Sequence, residues 1–159
     1  MTPTLLRGSP AAKQSGTETI RRVSVLGATG SIGTSTLDLL SREPDRYRIV
    51  ALTANANVDE LVELALTHKP ELAVIGEAAH YEALKSALAG TGIAVAAGAA
   101  GLIEAASRPA DWIMSAIVGA AGLKPTLAAL EQGRVVALAN KECLVVGGDL
   151  FMRRVEETG

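Results

Sequence analysis

The stretch Arg22-Val23-Ser24-Val25-Leu26-Gly27-Ala28-Thr29-Gly30-Ser31-Ile32-Gly33 constrains the fold of this chain more than any other. A β-branched run ends in a loop with three glycines, and the residues that follow, Thr34 to Leu40, carry a helical pattern. Strand, glycine loop and helix in that order meet the mechanical requirement for a phosphate-binding turn opening a βαβ unit. Glycine lets the backbone turn sharply and lets a pyrophosphate approach without meeting a Cβ. The helix that follows offers unpaired N–H groups and a partial positive charge. The spacing is G-x-x-G-x-x-G rather than G-x-G-x-x-G, so a tight strand-to-helix turn without a ligand stays open on the loop alone.

The rest of the chain alternates in the same way. Tyr47 to Thr53 reads as a second strand, and Ala54-Asn55-Ala56-Asn57 as a turn, because asparagine tolerates unusual backbone angles. Val58, Leu61, Val62, Ala65 and Leu66 form an i, i+3, i+4, i+7, i+8 stripe, which predicts a helix over Val58 to His68. Strands are then expected at Leu72 to Ile75, Ile93 to Ala96, Trp112 to Ile117 and Val135 to Ala139. Helices are expected at Glu77 to Ala89, Gly98 to Ser107, Thr126 to Gln132 with Pro125 in its first turn, and Cys143 to Glu157, where Gly147-Gly148 weakens the middle. Right-handed crossovers turn this alternation into a Rossmann-like α/β fold, a doubly wound, mostly parallel sheet with helices on both faces. With one Trp, two Tyr and one Phe, the core must come from Ala, Val, Leu and Ile, which suits buried parallel strands.

Residues 1–20 show no periodic apolar face and are expected to form a flexible tail, with residues 21–159 forming the domain. A formal net charge of −2 and the absence of a basic run give no reason to expect nucleic acid. No apolar stretch approaches the ~20 residues of a membrane span. The single cysteine, Cys143, excludes an internal disulfide and fits a reducing cytoplasm.

In such sheets ligands bind at the carboxyl ends of the strands. Four loops are expected at that edge: 27–33, 53–57, 117–122 and 139–142. Dinucleotide binding follows from their agreement. The second strand ends without a carboxylate, and none occurs before Asp59, so nothing at that turn repels a 2′-phosphate. No Arg or Lys follows closely, and neutral Asn55 and Asn57 are left to hold the phosphate or merely to shape the turn. The reading favours NADP over NAD. Asn140-Lys141-Glu142 is the compact polar cluster at the same edge. Lys141 could bind an anionic substrate and Glu142 a ribose or nicotinamide, or Asn140 and Glu142 could simply cap a helix. Cys143 reads as a buried small residue. His68 and His80 fall on or beside helices remote from these loops, and no carboxylate cluster suits a metal.

Three blocks carry a family resemblance: VSVLGATGSIGTSTLDLL at 23–40, SAIVGAAGLKPTLAAL at 115–130 and ALANKECLVVGGDLF at 137–151. From about Arg22 onward the chain resembles the N-terminal domain of the 1-deoxy-D-xylulose 5-phosphate reductoisomerase family. The resemblance implies NADPH contacts at Thr29, Gly30, Ser31, Ile32, Asn57, Asn140 and Glu142, and a substrate-binding role for Lys141. Asn55-Ala56-Asn57 departs from the family's Gly-Lys/Arg-Asn turn and loses its basic contact at Ala56. The resemblance also implies a phosphorylated sugar substrate, a homodimer for the full-length enzyme, and a divalent metal, Mg²⁺ or Mn²⁺, whose ligands fall outside this chain. A chain lacking them is expected to be inactive alone. An aspartate-semialdehyde dehydrogenase-like enzyme and a non-enzymatic NADP-binding regulator are the alternatives. Neither explains Lys141.

Overall fold

The structure, a computed structural model, describes residues 19–158. Residues 1–18, most of the stretch expected as a tail, lie outside the described residues. Six strands pair into one sheet: β1 (Arg21–Leu26), β2 (Tyr47–Ala54), β3 (Leu72–Ile75), β4 (Ala94–Ala97), β5 (Trp112–Ser115) and β6 (Val135–Leu138). Their order is β4-β3-β2-β1-β5-β6, and every pairing is parallel. The sequence therefore runs outward from β1 to one edge, crosses back, and continues outward from β5 to the other. The reversal falls between β1 and β5, and all the strands end on one side of the molecule.

The helices are α1 (Ser31–Ser41), α2 (Val58–His68), α3 (Tyr81–Ala87), α4 (Gly98–Ser107), α5 (Leu123–Leu130) and α6 (Lys141–Thr158). Leu37 and Leu40 of α1, Leu61 and Ala65 of α2, and Leu84 of α3 join one core with Val23, Val25, Leu52 and Ile75 of the sheet. Ala105 and Ala106 of α4 and Ala128 and Ala129 of α5 join a second core with Leu26, Val50, Val74 and Ile113. Alternating strand residues thus feed opposite faces, as the pleat requires. Each face buries aliphatic surface worth about 25 cal/mol per Å². Alanine dominates where α4 and α5 meet the sheet, so these helices lie close to it with few bulky side chains between.

Several boundaries differ from expectation. Helix α5 begins at Leu123 rather than near Pro125 and ends at Leu130, and β2, β4 and β6 shift by one residue. The helix expected over Glu77 to Ala89 is a short 3-10 turn at Ala78–His80 followed by α3. The cause is Glu77, whose extended backbone donates its N–H to the Asn55 carbonyl at 2.8 Å and so prolongs the strand pairing. The fifth strand ends at Ser115 rather than Ile117, although Ala116 still donates its N–H to the Leu26 carbonyl at 2.8 Å and its own carbonyl lies against Gly27. The last helix begins at Lys141, and Gly147 leaves helical geometry (φ −128°, ψ 18°), producing a kink where the paired glycines weaken it. Among the described residues, no helix is long and apolar enough to cross a membrane.

Candidate functional site

The glycine loop at 27–33 leaves the carboxyl end of β1 at the point where strand order reverses. Gly27 has φ +83°, and a Cβ there would lie 2.6 Å from the Ala116 carbonyl oxygen. A Cβ on Gly33 would lie 2.2 Å from the Gly27 carbonyl oxygen. Neither position admits a side chain, so both glycines are required for the loop to fold back onto α1. The Gly27 N–H donates to the Thr53 hydroxyl at 2.9 Å, and the Ala28 N–H to the Thr53 carbonyl at 2.7 Å. These bonds lock the loop to the end of β2.

A cleft of about 330 Å³ opens above this junction. Gly27, Thr29 and Gly30 form one wall, Thr53 and Asn55 another, and Ala116, Ile117 and Val118 a third. Gly30 is the N-cap of α1 and supplies no side-chain cap. The first-turn amides, with exposed Ser31 and Ile32, therefore keep their capacity for an anion. A larger cleft of about 430 Å³ lies at the opposite edge of the sheet, lined by Pro44, Tyr47, His68 and Glu71, among others. It lies away from all four candidate loops. Nearby, Asp111 accepts the Arg22 N–H at 2.7 Å, and Arg22 pairs with Glu71 at 3.0 Å, a structural clamp at the strand starts.

On the far side of the switch point, Asn140 is 3% exposed and its side chain is fully committed. Its amide donates to the carbonyls of Ile117 and Gly119, and its Oδ1 accepts the N–H groups of Glu142 at 2.9 Å and Cys143 at 3.4 Å. Two donor hydrogens and two lone pairs are thereby used. Asn140 ties the cleft wall at 117–119 to the first turn of α6, which leaves its side chain no free donor for a ligand. Lys141 and Glu142 stand exposed beside it. Lys141 makes no hydrogen bond or ion pair among the described residues, so its ammonium is available. Neither residue lines the cleft itself.

Below Asn140, the Thr126 hydroxyl donates to the Gly122 carbonyl at 2.6 Å. Its single hydrogen is then spent, so the Ser115 hydroxyl donates to Thr126, also at 2.6 Å. Burial raises the Cys143 thiol above its ordinary range, with Thr126 opposing and the Glu142 charge adding to the shift. A buried, protonated thiol is a packing group rather than a nucleophile.

The turn after β2 differs from expectation in its electrostatics. Asn55 donates its amide to Glu77 Oε1 at 3.2 Å, and Asn57 donates to Glu60 Oε2 at 2.7 Å. Asn57 is also the N-cap of α2, accepting the Glu60 N–H at 3.2 Å. His80 Nε2 lies 3.4 Å from Glu77 Oε2, so His80 stands near the Asn55 turn rather than remote from the loops. The four loops expected at this edge omit the one after β3, and that loop supplies Glu77. Its signal in the sequence was present, an acid two residues after a strand, but nothing local linked it to Asn55. Among the described residues, no group of three or more His, Cys, Asp or Glu side chains could hold a metal ion.

Known proteins resemble this arrangement over most of its length. The family profile described as 1-deoxy-D-xylulose 5-phosphate reductoisomerase matches residues 23–148. A protein of that name from Rhodospirillum centenum is 58% identical over 144 residues, covering 91% of this chain and 36% of the relative. A solved 1-deoxy-D-xylulose 5-phosphate reductoisomerase from Zymomonas mobilis in complex with NADPH is 55% identical with a TM-score of 0.87, covering 89% of this chain and 37% of that one. A DOX-P reductoisomerase solved with NADPH, fosmidomycin and magnesium is 42% identical with a TM-score of 0.83, covering 88% of this chain and 35% of that one. The chain thus spans about a third of the length of the relatives it matches.

Proposed function

Because the chain belongs to the 1-deoxy-D-xylulose 5-phosphate reductoisomerase family, we propose that it is the NADPH-binding part of such an enzyme. The observation that supports this most is the cleft between β1 and β5, walled by the glycine loop and adjoined by the unpaired Lys141. The backbone of Thr29, Gly30, Ser31 and Ile32 holds the pyrophosphate at the start of α1. Asn55 and Asn57 flank the adenosine ribose. Asn140 acts as a positioning residue through the 117–119 wall, and Glu142 faces the nicotinamide end. Lys141 binds the phosphorylated sugar substrate by charge.

The whole enzyme rearranges and reduces 1-deoxy-D-xylulose 5-phosphate to 2-C-methyl-D-erythritol 4-phosphate, a step toward isoprenoid precursors. NADPH, when bound, supplies the hydride; the chain supplies orientation and a shaped, largely apolar cleft. The described residues offer no donor set for the divalent metal, so its ligands are assigned to residues beyond them. The domain is residues 21–159, and the full-length enzyme is a cytoplasmic homodimer.

Fluorescence titration of the 159-residue chain with NADPH and NADH tests the reading. Saturable NADPH binding, tighter than NADH, is expected; tighter NADH binding would overturn it. The same chain with 1-deoxy-D-xylulose 5-phosphate and Mg²⁺ should oxidise no NADPH, and measurable oxidation would refute the assignment of the metal ligands elsewhere.

A further inference from the structure

Both asparagines of the turn after β2 give an amide hydrogen to a carboxylate, Asn55 to Glu77 and Asn57 to Glu60. In doubly wound sheets this turn reads the 2′ position of the adenosine ribose, where an acidic group accepts from a 2′-hydroxyl and repels a 2′-phosphate. The sequence places no acid at the end of β2, and that absence is the basis for preferring NADP. The fold restores an acid from the neighbouring strand. Glu77 follows β3, which pairs with β2 through Ala54 and Ile75. Two further backbone bonds fix its position: Gly76 N–H to the Ala54 carbonyl at 2.7 Å, and Glu77 N–H to the Asn55 carbonyl at 2.8 Å. Asn55, its hydrogen-bond partner, lines the cleft. No Lys or Arg side chain bonds to Asn55, Asn57, Glu60 or Glu77 among the described residues, and the one basic group on Glu77 is His80, whose Nε2 lies 3.4 Å from Oε2.

We propose that Glu77 is a cofactor-discriminating residue of this site, a carboxylate lent by β3 that narrows the preference for NADPH over NADH. The inference rests on the NADPH-binding reading above. Glu77 acts in two ways that can be separated. Its charge opposes the 2′-phosphate. Its Oε1 also fixes the Asn55 amide, leaving the second amide hydrogen of Asn55 free for the ribose substituent. Substitution by glutamine keeps an acceptor for Asn55 and removes only the charge. Substitution by alanine removes both.

The experiment is a set of NADPH and NADH dissociation constants, read by cofactor fluorescence at low ionic strength, for the wild-type chain, Glu77→Gln, Glu77→Ala and Glu82→Gln. Glu82 lies in the first turn of α3 and is exposed, so its substitution changes net charge equally without touching the turn. Glu77→Gln is expected to tighten NADPH by roughly threefold, the scale of a partly screened charge contact, while leaving NADH unchanged or weaker. Glu77→Ala should gain less for NADPH than Glu77→Gln does, because Asn55 is released. Glu82→Gln should leave the ratio alone. If both cofactors bind wild type but Glu77→Gln leaves their ratio unchanged, or Glu82→Gln shifts it equally, the inference fails and the functional reading stands. If neither cofactor binds wild type, both fail together.

Discussion

At the scale of single residues, the site depends on positions where a side chain would collide. A Cβ on Gly33 would sit 2.2 Å from the Gly27 carbonyl oxygen, against backbone that cannot swing aside. Gly33→Ala should therefore cost about 3 kcal/mol or more of stability and abolish NADPH binding, since the loop must move to relieve the overlap. Urea denaturation and the cofactor titration check both; retained binding with wild-type stability would contradict the geometry. His68 offers a second residue-scale test, far from the site. Burial lowers its pKa from the ordinary 6.5, so the folded state binds its proton less readily than the unfolded state. Its contribution is fully present above about pH 6.5 and is lost as pH falls through the lower folded value. Stability of the wild type should decline over that acid window, and His68→Gln should lose part of the decline. An unchanged pH profile in the variant would show that other groups carry it.

At the scale of elements, what the sequence revealed and what it hid divide by contact distance along the chain. The α2 stripe is local, involving Val58 to Leu66, and the pattern displays it directly. The capping of α2 by Asn57 is equally local, with a partner three residues on, but reading 54–57 as a turn does not assign it. The bonds Asn55–Glu77 and Arg22–Asp111 join residues 22 and 89 apart, and only sheet order brings them together. The same cause takes Glu77 out of the expected third helix, because its pairing with Asn55 keeps its backbone extended and a 3-10 turn at Ala78–His80 then leads into α3. The carboxyl-edge loops at 27–33, 53–57 and 117–122 were readable, since parallel alternation puts every strand end on one edge. The acidity of the 53–57 turn was not. In α6, Phe151 is 3% exposed whereas Val145 is 83% exposed. Phe151→Ala should cost about 3–5 kcal/mol, and Val145→Asp less than about 0.5 kcal/mol, both by urea denaturation. A large cost for Val145→Asp would mean that this outer face of α6 is buried in solution.

At the scale of the whole molecule, the site lies where the two directions of the chain meet. Residues 21–97 build β1 to β4 and three helices on one core; residues 98–158 build β5 and β6 and pack α4 and α5 on the other. The cleft takes Gly27, Thr29 and Thr53 from the first set and Ala116, Ile117 and Val118 from the second. A dinucleotide there binds only when β1 and β5 are paired, so its binding energy becomes folding energy for both halves. At a hundredfold excess over Kd, such linkage adds about 2.7 kcal/mol. For a domain of this length that corresponds to a rise in Tm of roughly 5–10 °C. Thermal unfolding followed by circular dichroism, with and without NADPH, should show one cooperative transition moving upward by that amount. A shift confined to part of the transition would place the ligand on one half alone. No shift, at a concentration that saturates fluorescence, would mean that the cofactor contacts nothing that depends on the β1–β5 junction.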